Sequence, residues 1–242
     1  MNQKKTDIIV ALDVQTLTDA VKLIEALGDS VEWYKVGSVL YASEGQAALA
    51  MLKKYGKKIF LDLKFHDIPN TVADAVENSC KTGVNMFTLH ASGGSEMIKA
   101  AISRAGLVGK KYGIAPPLAV AVTVLTSFSQ QQLLEDFGMA LSAEDIVKKL
   151  VALTIKSGGK CVVASPRELP ILRAEFGNEI TIITPGIRPL WSAANDQNRI
   201  TTPEDAVRNG ADFIVIGRPI IAASNPREAA LKILEEIHEV QV

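Results

Sequence analysis

The sequence predicts a (β/α)8 barrel, and three observations point to it. Short β-branched runs alternate with amphipathic stretches from one end of the chain to the other. The length, 242 residues, matches the usual size of such a barrel. The first strand-to-helix turn, Asp13-Val14-Gln15-Thr16, lacks the Gly-rich dinucleotide fingerprint that would favour a doubly wound open sheet, which shares the same alternation.

Strands are expected at 8–14, 33–39, 58–65, 86–90, 118–125, 161–165, 181–187 and 213–217. Helical segments are expected between them at 18–27, 44–55, 71–82, 95–105, 143–156, 166–176 and 203–209. The final helix, 226–240, carries Leu231, Leu234 and Ile237 at a spacing of three. It opens with Pro226 just inside its start, behind Ser224 and Asn225 as capping candidates. Strict alternation implies a parallel sheet with right-handed crossovers. No linker or compositional break divides residues 1–242, so one domain is expected.

Composition excludes several classes. Hydrophobic residues at 48%, charged residues at 22% and a net charge of −1 are ordinary for a soluble protein with a sizeable core. No basic block marks a nucleic-acid partner. No apolar run of about 18 residues marks a membrane span. The stretch from Ile8 to Leu12 is too short for a signal peptide. Cys80 and Cys161 stand apart from each other and from His66, His90 and His238, which is neither a disulfide framework nor a zinc pattern. A cytoplasmic protein is expected.

Polar residues gather at one end of the predicted strands. Asp13 ends strand 1, Lys35 and Ser38 lie near the end of strand 2, and Asp62, Lys64 and Asp67 finish strand 3. His90 closes strand 4; Thr123, Thr126 and Ser127 finish strand 5; Ser165, Arg188 and Arg218 end strands 6, 7 and 8. Barrel active sites form at that end. Taken singly, each has a plainer role: Asp13 as a helix cap, Lys35 with its charge in solvent, His90 as a hydrogen-bonded core histidine, His66 as a structural or subunit-contact residue.

The segment around Asp62 is harder to dismiss. Strand alternation turns Asp62 and Lys64 to the same face. Asp67 falls beyond the strand, ahead of Pro69, which cannot donate to a ladder. Such charges at a buried strand end are costly unless they pair or act. With Lys35 added, two lysines and two aspartates sum to zero, which makes a buried network tolerable.

A second constellation sits at strands 7 and 8. Thr184-Pro185-Gly186-Ile187-Arg188-Pro189 and Ile216-Gly217-Arg218-Pro219 both set Gly beside Arg. Exposed amides next to a guanidinium suit a phosphate dianion, and barrels commonly bind phosphate in these two loops. The polar loop 189–199 is long enough to be a lid, with Gln197 able to fold over the phosphate, and 127–138 forms another extended rim element.

These residues resemble the orotidine 5′-phosphate decarboxylase family in its bacterial form. The resemblance spans essentially the whole chain and rests on D-x-K-x-x-D-I-P-N-T at 62–71, T-P-G-I-R-P at 184–189, Val122-Thr123-Val124-Leu125-Thr126-Ser127 and Asp196-Gln197. It implies a barrel that dimerises with shared active sites and converts orotidine 5′-phosphate to UMP without a cofactor or metal. Lys35, Asp62 and Lys64 would be joined by Asp67 of the partner subunit, with Ile68 and Thr71 crossing alongside it. The resemblance further implies that Asp13 and Lys35 contact the ribose and that Thr126 and Ser127 contact the pyrimidine. Gln197, Gly217 and Arg218 would hold the phosphate, with Arg188 nearby. Lys64 would be the proton donor to C6.

Three rivals are weaker. A Mg²⁺-dependent keto-sugar-phosphate lyase of the same suprafamily would have an acid where this chain has Lys35. A Schiff-base aldolase would use Lys64 covalently. A non-catalytic phosphate-binding barrel would have lost the Asp/Lys cluster.

Overall fold

Eight parallel strands pair in chain order: β1 (Asp7–Ala11), β2 (Trp33–Gly37), β3 (Lys58–Phe65), β4 (Met86–His90), β5 (Leu118–Val122), β6 (Cys161–Val163), β7 (Thr181–Thr184) and β8 (Phe213–Ile216). β8 returns to pair with β1, so the sheet is a closed barrel, as expected, and has no exposed edge. The computed structural model describes residues 6–192 and 201–241. The crossovers carry α1 (Leu17–Leu27), α2 (Ser38–Glu44), α3 (Gln46–Lys54), α4 (Pro69–Thr82), α5 (Gly94–Tyr112), α6 (Gln130–Phe137), α7 (Ala143–Lys156), α8 (Leu169–Phe176) and α9 (Pro203–Arg208). Two more helices, α10 (Arg218–Ile221) and α11 (Pro226–Gln241), follow β8.

The two-residue period of the strands separates two cores. Ile9, Ala11, Trp33, Phe60, Met86, Val120, Cys161, Ile183 and Val215 form a small cluster drawn from all eight strands, the barrel interior. Their neighbours Val10, Tyr34, Ile59, Leu61, Phe87, Val162 and Ile214 belong to a larger cluster shared with the helices. Continuing the inner period toward the C-terminal ends brings Asp13, Lys35, Asp62 and Val122 into the mouth. The site is therefore an extension of the inner layer of the barrel.

At the opposite end a largely buried ion pair ties neighbouring elements together. Arg173 of α8 donates to the carbonyls of Gly177, Ile180 and Gly210 and to Asp212 Oδ2, the last at 2.6 Å. The same Asp212 oxygen accepts the Ile182 N–H at 2.6 Å, tying β7 to β8. A charged pair this well hydrogen-bonded is costly to break on one side only.

Several boundaries differ from the sequence expectation. β2 stops at Gly37, and Ser38, expected at a strand end, begins α2. The helix expected at 44–55 is α3 at Gln46–Lys54, and α2, which was not expected, precedes it, parted from it at Gly45 with a φ of 56°. β5 and β7 end before the expected limits, and the apolar residues past their last ladder pairs, Val124, Leu125 and Ile187, line a cavity; β1, β6 and β8 also end early, at Ala11, Val163 and Ile216. An apolar run reads alike whether its far end pairs with a strand or faces a ligand. Within the expected rim element 127–138, α6 starts at a capping box in which Ser129 and Gln132 serve each other's backbone. Asn225, expected as a cap for the last helix, accepts the Glu228 N–H through Oδ1 at 3.2 Å.

Candidate active site

Four strand-end side chains form one alternating chain of charge. Lys35 Nζ lies 3.0 Å from Asp13 Oδ1 and 3.7 Å from Asp62 Oδ2. Lys64 Nζ donates to both oxygens of Asp62, each at 2.9 Å. The Lys35 and Asp62 side chains are 12% and 14% exposed, those of Lys64 and Asp13 37% and 47%, so the inner pair is withdrawn from solvent and the outer groups reach into the mouth. Two cations and two anions cancel, which lowers the cost of holding the inner pair away from solvent. The neutral quartet contains Asp13, whereas the sequence reading balanced the charges with Asp67.

The backbone beneath Lys64 is irregular. β3 pairs Leu61 with Phe87 and then Phe65 with Leu89, four steps on β3 against two on β4. Because the surplus is even, Asp62 and Lys64 remain on the inner side with Phe60, but not through the regular alternation expected. The distortion is concentrated at Lys64, whose φ of 52° is the one positive value among the described non-glycine residues. Such a conformation costs roughly 1–3 kcal/mol and persists when its surroundings over-determine it. Here Thr88 on β4 accepts the Lys64 N–H through Oγ1 at 2.8 Å and donates to Asp62 Oδ1 at 3.0 Å.

The sequence reading missed two residues of this cluster. Thr88 gave no signal beyond lying two residues before His90. Gly37 gave none beyond ending an inward-facing strand, yet a Cβ there would stand 2.7 Å from Lys35 Nζ and 3.5 Å from Asp13 Oδ1. Its missing side chain is the room in which the Lys35 ammonium sits.

The quartet forms one wall of an open cavity of about 1170 Å³. Its lining also includes Thr126 from the loop after β5, Gly186 and Arg188 after β7, and Gly217 and Arg218 after β8, where Gly217 lies beside Asp13. Neither Arg188 nor Arg218 forms an ion pair with another described residue. The base of the β7–α9 loop is pinned by an Arg188 N–H donated to Thr201 O at 3.0 Å and a bridge between Ile187 and Thr201. Gln197, assigned from sequence to the same end, lies outside the described residues.

Asp67, Ile68, Thr71 and Ser127 are not in the cavity wall. Asp67 is exposed and its Oδ1 accepts the Ile68 N–H at 2.6 Å, apart from the Asp/Lys quartet. Ile68 is 67% exposed, at the N-cap of α4. Ser127 sits with Thr126 in an exposed turn closed by the Phe128 N–H on Leu125 O. His90, expected as a hydrogen-bonded core residue, is half-buried against His66, with ring centroids 5.3 Å apart and the rings tilted by 42°. Burial first, then the charges of His66 and Lys64, hold the His90 imidazole below its usual range. On the β6 side of the cavity, burial pushes the Glu168 carboxyl up to about 7, against the stabilising Ser165 N–H it accepts at 2.7 Å.

A closed parallel barrel with its ionised groups gathered at the C-terminal ends of the strands defines an enzyme of the TIM-barrel class. A family profile described as "Orotidine 5'-phosphate decarboxylase / HUMPS family" matches residues 6–233. The chain belongs to this family and is a carboxy-lyase of pyrimidine biosynthesis. It is 47% identical to the orotidine 5′-phosphate decarboxylase of Syntrophomonas wolfei, across 98% of this chain and 100% of that one. It is likewise 47% identical to the enzyme of the same name from Geotalea daltonii, across 98% of each. Among solved structures, the orotidine 5′-phosphate decarboxylase of Lactobacillus acidophilus superposes with a TM-score of 0.85 at 37% identity, covering 96% of this chain and 99% of the other. Among the described residues, no helix is long and apolar enough to cross a membrane.

Proposed function

We propose that this chain converts orotidine 5′-phosphate to UMP and CO2 with Lys64 as the proton donor to C6. The observation that carries this reading is the Lys64 ammonium held on both oxygens of Asp62 at 2.9 Å, at the wall of a cavity also lined by two arginines without described ion partners. Breaking the C6–carboxylate bond leaves its electron pair on C6. A fixed cation beside that position stabilises the developing charge without reorganising. Transfer of a proton from Lys64 Nζ to C6 then yields UMP. Asp62 fixes Lys64 and faces the departing carboxylate.

The other roles are those the family resemblance implies. Asp13 and Lys35, paired at 3.0 Å, meet the ribose hydroxyls. Thr126 and Ser127 address the pyrimidine edge, and Arg188, Gln197, Gly217 and Arg218 the phosphate. Phosphate binding far from C6 supplies remote binding energy that the reacting end can use. The acid paired with Lys64 is Asp62 of its own barrel, while Asp67, Ile68 and Thr71 complete the neighbouring site of a homodimer. Their exposure at the β3–α4 corner, and an uncovered isoleucine there, support that assignment.

Lys35 also bears on metal dependence. Its ammonium occupies the space between Asp13 and Asp62, where a divalent cation shared by those carboxylates would be repelled. The test is the absorbance change of orotidine 5′-phosphate with purified protein in EDTA. Full turnover is expected, and turnover that returns only with Mg²⁺ would overturn the reading.

A further inference from the structure

We infer that Thr88 is a positioning residue that sets the Lys64 ammonium by clamping both its backbone and its carboxylate partner. The inference rests on the proposed role of Lys64. Thr88 is fully buried and absent from the cavity wall, so it cannot touch a substrate. Its hydroxyl has one proton to give. The Lys64 N–H can only donate, so Oγ1 accepts there at 2.8 Å, and the hydroxyl proton is committed to Asp62 Oδ1 at 3.0 Å. Asp62 in turn accepts Lys64 Nζ at 2.9 Å, closing a ring from the Lys64 backbone through Thr88 and Asp62 to the Lys64 side chain.

The ring explains how β3 keeps its irregular stretch. Between Leu61 and Phe65 the β3–β4 register shifts, so the Lys64 N–H finds a side-chain acceptor on β4. That bond holds the positive φ of 52°, and the φ decides where the side chain leaves the barrel wall. The second bond holds the carboxylate to which the ammonium is docked. A buried hydroxyl with both partners satisfied resists rotation, and each bond in such a chain polarises the next. Valine at this position would keep the shape of threonine, leave the Lys64 N–H without its acceptor, and free both the backbone and Asp62 to move.

The experiment compares Thr88→Val, Thr88→Ser and Lys64→Ala by steady-state decarboxylation of orotidine 5′-phosphate, with a thermal unfolding scan of each. Thr88→Val should lower kcat by roughly ten- to hundred-fold, the scale of a small misplacement of a reacting group. KM should stay within about twofold, because the phosphate-end residues are untouched. Thr88→Ser, which keeps the hydroxyl, should restore most of kcat. Wild-type kcat in Thr88→Val, equal impairment of the Ser and Val variants, or a loss confined to KM would each overturn the clamp. If Thr88→Val does not fold, Thr88→Ala and Thr88→Ser isolate the hydroxyl, and equal kcat in those two would overturn it. Wild-type turnover in Lys64→Ala would instead sink the role of Lys64 itself, whereas an inactive Lys64→Ala beside an intact Thr88→Val would sink the clamp alone.

Discussion

Gly37 and Lys35 share one small space: a Cβ on Gly37 would fall 2.7 Å from Lys35 Nζ. The atom in the way is the tip of a flexible side chain, and Gly37 has an ordinary φ of −99°. Gly37→Ala should therefore cost little stability, within about 1 kcal/mol. It should also displace the ammonium from Asp13 and lower kcat/KM by roughly tenfold or more. Paired unfolding and kinetic measurements check both halves, and a variant that loses stability without losing activity would contradict the shared space.

Lys64 should separate chemistry from stability in the opposite sense. Lys64→Ala and Lys64→Gly should both be inactive, since neither carries an ammonium. At a φ of 52°, however, glycine is unstrained and alanine is not. The Gly variant should be the more stable of the two by roughly 1 kcal/mol, read by denaturant unfolding.

Arg218→Ala should weaken binding more than chemistry. Loss of a charge-assisted bond to a phosphate corresponds to about 1.5–3 kcal/mol, or roughly ten- to hundred-fold in KM. Isothermal titration with UMP gives the same quantity without turnover. An unchanged UMP affinity would remove Arg218 from the phosphate site.

The proposed sharing of active sites between two subunits predicts complementation. Lys64→Ala and Asp67→Ala chains, each inactive alone, should regain activity when mixed and allowed to exchange. Random pairing makes half the dimers hybrid with one intact site of two, so about a quarter of wild-type activity is the ceiling. No recovery, despite exchange demonstrated by native mass spectrometry, would argue that Asp67 serves its own barrel.

Glu168 predicts a pH dependence of stability. Its folded value of about 7 lies above the ordinary carboxyl range, so between about 4.5 and 7 the native state holds a proton that the unfolded chain releases. Its contribution is therefore fully present in acid and is lost as pH rises through 7. Glu168→Gln, which keeps an oxygen for the Ser165 N–H, should match wild type near pH 5 and unfold at a higher temperature at pH 8. Equal melting temperatures at pH 8 would refute the burial cost assigned to this carboxyl.

Most of the fold was legible because both of its periods are local. A strand that buries alternate residues in the barrel and a helix that buries one face leave their signatures within a few residues of sequence, and Pro203 and Pro226 at helix starts mark entries. The strand ends toward the site were not legible. Past β5 and β7 the hydrophobic pattern runs on along a cavity wall instead of a ladder, and α2 occupies residues read as a strand end and a connection.

For the site, local pattern was enough to say which charges stand at which strand ends, Asp13, Lys35, Asp62, Lys64, Arg188 and Arg218, although it grouped Asp67 and not Asp13 with Lys35, Asp62 and Lys64. It could do so because strand order in a parallel barrel brings all C-terminal ends to one face. Only the tertiary structure decided how they pair. The Lys64 backbone takes its conformation from a hydroxyl on the next strand, 24 residues away. The Lys35 ammonium takes its place from a side chain that Gly37 does not have. Both depend on distances across the barrel wall, which no local pattern encodes.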